Sequence, residues 1–235
     1  MTQAPTGYAR PELLADTDWL KAHLDDPNIR IIDCATFELY QKAHIRNAVG
    51  LQVNPFIKNT EDTLHVMPPD QFADLMGNLG VTTDTTVVAY DTAGGVPASR
   101  MWWVLNYYGH TDVKVLNGGW EKWFHDGLPV SREIPKVSPT TFTPIVDERL
   151  LCSLEYGKSH LDDTQVLYLD MRSEGEWTGE TSRGNKRVGR IPGAVHLEWT
   201  NFMNLEPNRT WKSAAELQEL LDAAGVTPDR EIITY

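Results

Sequence analysis

Cysteine is scarce. Two residues, Cys34 and Cys152, are too few for a disulfide framework or a zinc site in a chain of 235 residues, so no metal is expected. Long apolar runs are missing too, and nothing approaches the roughly 18 residues that suggest a bilayer span. The stretch from Met1 to Tyr8 has neither a basic region nor an apolar one behind it, so no secretory signal is read there. These absences point to a reducing cytoplasm. Positive charge is in deficit, with 21 Lys and Arg against 33 Asp and Glu and a net charge of -12. A basic nucleic-acid-binding face is therefore excluded, and any anionic substrate needs its own local positive potential. Gly94 and Gly95 are not followed by the Gly-Lys-Ser/Thr of a phosphate loop. With no metal, nucleotide or flavin motif, no cofactor is expected.

What remains is a soluble, globular composition, 41% hydrophobic and 23% charged, of a length for one large or two modest domains. The informative feature is internal. The segment Leu79–Tyr90 lies over Ala224–Tyr235 without a gap, matching at Gly, Val, Thr, Asp and Tyr. Upstream, Ile45–Leu51 lies over Ile191–Leu197, and Asp33 to Tyr40 lies over Asp170 to Trp177. Three anchors in one order, at so long a period, mean duplicated domains and not a solenoid.

Each copy alternates strands and helices. Ile29–Asp33, Thr86–Tyr90 and Val113–Leu116 read as short buried strands. A helix is predicted behind Pro68 and Pro69 through Leu79, a second from Pro97 to Tyr108 with its Trp and Tyr cluster in the core, and a third through Trp120 and Trp123. The fold class is α/β, two tandem domains, each a mainly parallel sheet with helices on both faces. Domain 1 is read as residues 8–130, a Pro- and Thr-rich linker as 131–148, and domain 2 as 149–235. The stretch 91–130 has no counterpart after Tyr235. The second domain is thus expected to be incomplete, its remainder carried by a longer polypeptide or a separate C-terminal segment.

These motifs resemble the tandem-domain rhodaneses, the thiosulfate and 3-mercaptopyruvate sulfurtransferases. The resemblance rests on Gly189–Val195, the fainter His44–Val49, Asp170–Arg172 with Glu176, Ser99–Trp103, Leu116–Trp120 and Gly127–Val130. It covers nearly the whole chain. It implies a silent first domain and a second that carries a cysteine just after a strand, in a loop entering a helix. In copy one the matching residue is Asp91, after Tyr90; in copy two a cysteine is expected immediately after Tyr235, so the chain as given is expected to be inactive. The implied reaction takes sulfane sulfur from a small anionic donor, thiosulfate or 3-mercaptopyruvate, to a thiol or cyanide acceptor through a persulfide. Unpaired amides and the helix dipole at such a loop lower a thiol's pKa and favour the attacking thiolate. The other reading is a non-catalytic binding or regulatory module.

Arg172 reads either as a donor-binding group or as a strand-end salt bridge to Asp170 or Glu176. The resemblance puts Glu176 where some relatives have a thiosulfate-binding arginine. Arg190 stands thirteen positions after Trp177, where His44 stands four after Tyr40; the insertion carries Arg183, Lys186 and Arg187. Arg187 and Arg190 are read as supplying positive potential to an anionic donor, or as a solvated basic loop. His44 is either a proton-handling participant, as the resemblance allows, or a histidine bonded to backbone. Asp33 and Asp170 are expected to organise loops, Cys34 to be an inert core thiol, and Cys152 a half-buried one at a helix start.

Overall fold

The computed structural model describes residues 7–62 and 65–235. The segment Met1–Thr6, where no secretory signal is read, lies outside them. The chain divides into two compact units, one ending at Leu150 and including Glu206–Thr210, the other Leu151–Leu205 with Trp211–Tyr235.

Unit 1 contains β1 (Leu14–Ala15), α1 (Thr17–Ala22), β2 (Ile29–Asp33), α2 (Phe37–Lys42), β3 (His44–Ile45), β4 (Val49–Gly50), α3 (Pro69–Asn78), β5 (Thr86–Tyr90), α4 (Val96–Tyr107), β6 (Val113–Leu116), α5 (Gly119–His125) and β7 (Val130–Ser131). Five of these strands form a parallel sheet in the order β1-β6-β5-β2-β4. Side chains alternate across it. Ile32, Val87 and Ala89 pack under Phe72 of α3 and Met101 and Leu105 of α4; Ile31 and Val88 face Leu20 of α1 and Trp123 of α5. Both faces are covered, which is why these strands read as continuous apolar runs. Each such buried side chain contributes about 1.5–3 kcal/mol relative to exposure.

The aromatic cluster of α4 is only partly core. Tyr108 is buried, whereas Trp102, Trp103 and Tyr107 pack half-buried against the cluster, with Trp103 stacked on Tyr107 at 5.3 Å. Residues 132–147 contain no helix or strand, yet they lie along unit 1. Thr140 N–H donates to the Gly77 carbonyl at 2.9 Å, Phe142 is buried edge-on to Phe72, and Ile145 N–H donates to the Tyr108 carbonyl at 2.9 Å.

Unit 2 contains α6 (Leu154–Ser159), β8 (Val166–Asp170), α7 (Glu174–Thr178), β9 (Val195–His196) and β10 (Met203–Asn204); β11 (Thr210–Trp211) falls on the division, and α8 (Ala214–Ala223) and β12 (Glu231–Thr234) follow in unit 2. Its sheet is parallel, in the order β12-β8-β9. Ser153 caps α6 by accepting from Tyr156 N–H, as Asp16 caps α1 by accepting from Trp19 N–H. Ser213 and Glu216 form a capping box at α8, which fixes the start of the helix leading to β12.

Candidate active site

In each unit the buried aspartate that ends one strand meets a tyrosine at the end of the neighbouring strand. In unit 1, Tyr90 Oη donates to Asp33 Oδ2 at 2.6 Å and accepts from Ile45 N–H at 3.0 Å. In unit 2, Tyr235 Oη accepts from Ile191 N–H at 3.1 Å and hydrogen-bonds with Asp170. Backbone bonds repeat as well: Cys34 N–H to the Tyr90 carbonyl at 2.7 Å, and Met171 N–H to the Tyr235 carbonyl at 3.0 Å. A strand-end tyrosine is thereby fixed in position and direction in both copies.

Asp91, directly after Tyr90, is buried. Its carboxylate accepts three backbone N–H groups: Ala93 at 2.7 Å and Gly95 at 2.9 Å on Oδ1, Ala98 at 2.8 Å on Oδ2. Gly95 precedes α4 in the left-handed region, at φ 89°. The loop and the first turn of α4 thus form a cradle of converging amides, a place for an anion. In unit 1 the chain's own carboxylate fills it.

The two aspartates are shifted in opposite directions. Burial pushes Asp33 up to about 6, because its bonds from Tyr90 and from Ala35 N–H do not offset the lost hydration. Burial also pushes Asp170 up, but the Arg172 side chain and backbone and Tyr235 outweigh it and hold the carboxyl below the ordinary carboxylate range. Two things differ: Asp33 lies deeper in its unit, and Ala35 stands two positions after it where Arg172 stands two after Asp170. Arg172 forks onto Asp170 through Nε to Oδ1 at 2.9 Å and Nη2 to Oδ2 at 2.5 Å. It also donates to the Gly189 carbonyl at 2.9 Å and lies over the Tyr235 ring at 5.1 Å. Its Nη1 has no hydrogen bond among the described residues.

Glu176, nearly buried, accepts from Ser173 Oγ at 2.9 Å and pairs with Arg183 at 3.1 Å. Arg190 lies over Trp177 at 4.2 Å and donates to its carbonyl at 3.2 Å. Arg187 and Lys186 are exposed and have no ion pair among the described residues. His44 belongs to unit 1, where it is buried against Tyr40 with its ring nitrogens 2.8 Å and 3.2 Å from the carbonyls of Tyr40 and Glu133. Cys34 is buried, and burial first, then the nearby carboxylates of Asp91 and Asp33, push its thiol well above the ordinary range. Cys152 is exposed, not half-buried, because the short α6 that it precedes has no buried residue of its own.

One residue is given no role in the sequence reading above. His196 stacks on Trp177 at 5.0 Å, with Nε2 2.9 Å from the Arg172 carbonyl and Nδ1 3.2 Å from the Glu174 carboxylate. Trp177 is therefore held between Arg190 and His196. The repeat carried a signal for this: Gly50 matches His196, and a Cβ on Gly50 would come within 2.5 Å of the Tyr40 ring.

Within unit 2 a cavity of about 790 Å³ opens beside Tyr235. Arg172, Arg187, Arg190 and Lys158 line it, and no Asp or Glu is among its lining residues. For a chain of net charge -12 this is a local reversal of sign.

A duplicated parallel α/β domain with a strand-end site of this kind defines a class, and similarity to known proteins identifies it. A family model described as "Rhodanese-like domain" matches residues 16–126 and 153–235. The chain belongs to the rhodanese family. It is 33% identical to the "Sulfur carrier protein TtuD" of Thermus thermophilus, over 97% of this chain and 84% of that protein. It is 30% identical to a thiosulfate sulfurtransferase of Azotobacter vinelandii, over 97% and 83%. The crystal structure of SseA from Escherichia coli, described with the mechanism of 3-mercaptopyruvate sulfotransferases, matches with a TM-score of 0.83 at 26% identity, covering 94% of this chain and 87% of that one.

Proposed function

We propose that this protein transfers sulfane sulfur from thiosulfate or 3-mercaptopyruvate to a thiol or cyanide acceptor, through a persulfide on a cysteine that directly follows Tyr235. The carrying observation is the matched strand end. Tyr90 and Tyr235 are fixed by equivalent bonds, and the residue after Tyr90 places its anionic side chain among three amides. A cysteine entering an equivalent cradle after Tyr235 is held as thiolate. It attacks the outer sulfur of thiosulfate, the S–S bond breaks and sulfite leaves; the acceptor then takes the terminal sulfur and restores the thiolate. Asp91 makes unit 1 silent, since a carboxylate accepts no sulfur.

Arg172, Arg187 and Arg190 draw the anionic donor to this mouth, Arg187 and Arg190 by potential and Arg172 through its unbonded Nη1. Asp170 holds Arg172 and Tyr235 in place, Glu176 anchors the basic loop through Arg183, and His44 packs unit 1. No cofactor takes part. Two free thiols suit a reducing cytoplasm, where we place the protein.

Residues 1–235 alone are inactive on this reading, because neither Cys34 nor Cys152 stands at the strand end. The test is sulfur transfer from thiosulfate to cyanide by a polypeptide continuing past Tyr235, beside the 235-residue chain. Turnover by the longer form alone is expected; equal turnover by both sinks the proposal. Asp91 favours one second reading, for it shows that this loop folds around a non-thiol. Another residue after Tyr235 makes the protein a binding or regulatory module.

A further inference from the structure

Arg172 is held at its backbone as well as at its guanidinium. Its N–H donates to Asp170 Oδ1 at 3.0 Å, and its carbonyl lies 2.9 Å from Nε2 of His196, at the end of β9. A carbonyl only accepts, so Nε2 carries the proton of that bond. The imidazole is fixed on two further sides. It stacks on the Trp177 indole at 5.0 Å with 8° between the planes, and Nδ1 stands 3.2 Å from the Glu174 carboxylate. Glu174 is itself tied down, its backbone N–H donating to Glu198 at 3.3 Å.

The internal duplication shows what this arrangement serves. Arg172, Glu174 and His196 are in register with Ala35, Phe37 and Gly50. Copy one lacks the arginine, and it lacks the imidazole and the carboxylate with it. Strand pairing is nevertheless the same in both copies. β2 meets β4 through Ile32–Val49 and Asp33–Gly50, and β8 meets β9 through Leu169–Val195 and Asp170–His196. The strand junction forms without an imidazole, so holding β9 on β8 does not account for His196. Nor does His196 line the cavity beside Tyr235, whereas Arg172 does.

We propose that His196 positions Arg172 for the anionic donor. Holding the carbonyl of Arg172 as Asp170 holds its N–H, it fixes the point from which the guanidinium reaches and so the direction of the unbonded Nη1. This rests on the donor-binding role given to Arg172 above. His196 touches neither donor nor sulfur and acts through one backbone bond. A misplacement of about 1 Å in such a positioning group costs up to about a hundredfold in rate.

Two measurements test the role. On residues 1–235, NMR follows exchange of the Arg172 Nε–H with water in the parent, in His196→Phe and in His196→Gln. Phenylalanine keeps the stack on Trp177 and loses the bond; the glutamine amide donates in place of Nε2. Exchange is expected to rise about tenfold with phenylalanine and to return to within about threefold of the parent with glutamine. On a polypeptide continuing past Tyr235, KM for thiosulfate is expected to follow the same pattern while kcat changes less than about twofold. His196→Asn, too short for the carbonyl, stands in for phenylalanine should that ring unfold the protein. Exchange unaltered by phenylalanine or asparagine overturns the proposal. A fall in kcat at unchanged KM, or a defect that glutamine does not relieve, overturns it as well. If no such polypeptide transfers sulfur, the proposed activity fails, and exchange of the Nε–H alone decides the role of His196.

Discussion

Arg190 lies over the indole of Trp177 at 4.2 Å and donates to that residue's carbonyl at 3.2 Å. His44 treats Tyr40 the same way, stacked at 4.1 Å with Nδ1 2.8 Å from the Tyr40 carbonyl. The unit 2 pair stands thirteen positions apart and the unit 1 pair four, yet the contact is the same. The insertion in copy two is thus looped out between two preserved contact points.

If that stack is structural, Arg190→His is tolerated and Arg190→Ala is not. We expect the alanine variant to lose about 0.5–1 kcal/mol, the worth of an exposed cation–π contact. Urea unfolding of both variants checks it; an alanine variant as stable as the parent would show that the stack is incidental.

Removing Arg172 strands Asp170. Arg172→Ala should cost about 3–5 kcal/mol, the penalty for leaving a buried charge unpaired. Adding Asp170→Asn should recover part of it. The pH sign comes from the depressed folded pKa: the pair's stabilisation is present above the ordinary carboxylate range and lost as pH falls through the lower folded value. Acid titrations of the parent should show this loss and those of the double variant should not.

Asp33 predicts the reverse. Its folded pKa, raised to about 6, means the folded state holds the proton more tightly than the unfolded chain. Stability from this group is full below the unfolded value and is lost as pH rises through about 6, by an amount on the order of 3 kcal/mol. Asp33→Asn should flatten that fall in denaturant melts between pH 4 and 7.

Gly50→Ala places a methyl 2.5 Å from the Tyr40 ring, with no flexible end to yield. A loss of about 1–3 kcal/mol is expected, as for other overpacked sites. The double variant Gly50→Ala with Tyr40→Ala should cost less than the sum of the two single changes.

The strands were legible because parallel strands covered on both faces are short apolar runs, and Ile29–Asp33, Thr86–Tyr90 and Val113–Leu116 have the predicted bounds. The second helix of copy one, Val96–Tyr107, was legible from its Gly and Pro punctuation. Side-chain partnerships were less so. Spacing could place Arg172 near Asp170 or Glu176 but could not choose, because the choice is made by the Gly189 carbonyl and the Tyr235 ring, both distant in sequence. Neither the clamp of His196 on Trp177 nor the amide cradle around Asp91 leaves a periodic trace. Cys152 misled for the same reason: a helix start indicates position along the chain, not what packs beside it.

The most direct test treats a polypeptide continuing past Tyr235 with thiosulfate and maps the added sulfur by mass spectrometry of its peptides. One extra sulfur atom is expected on the residue after Tyr235, with Cys34 and Cys152 unmodified. Sulfur on either of those two cysteines, or none after Tyr235, contradicts persulfide chemistry at the strand end.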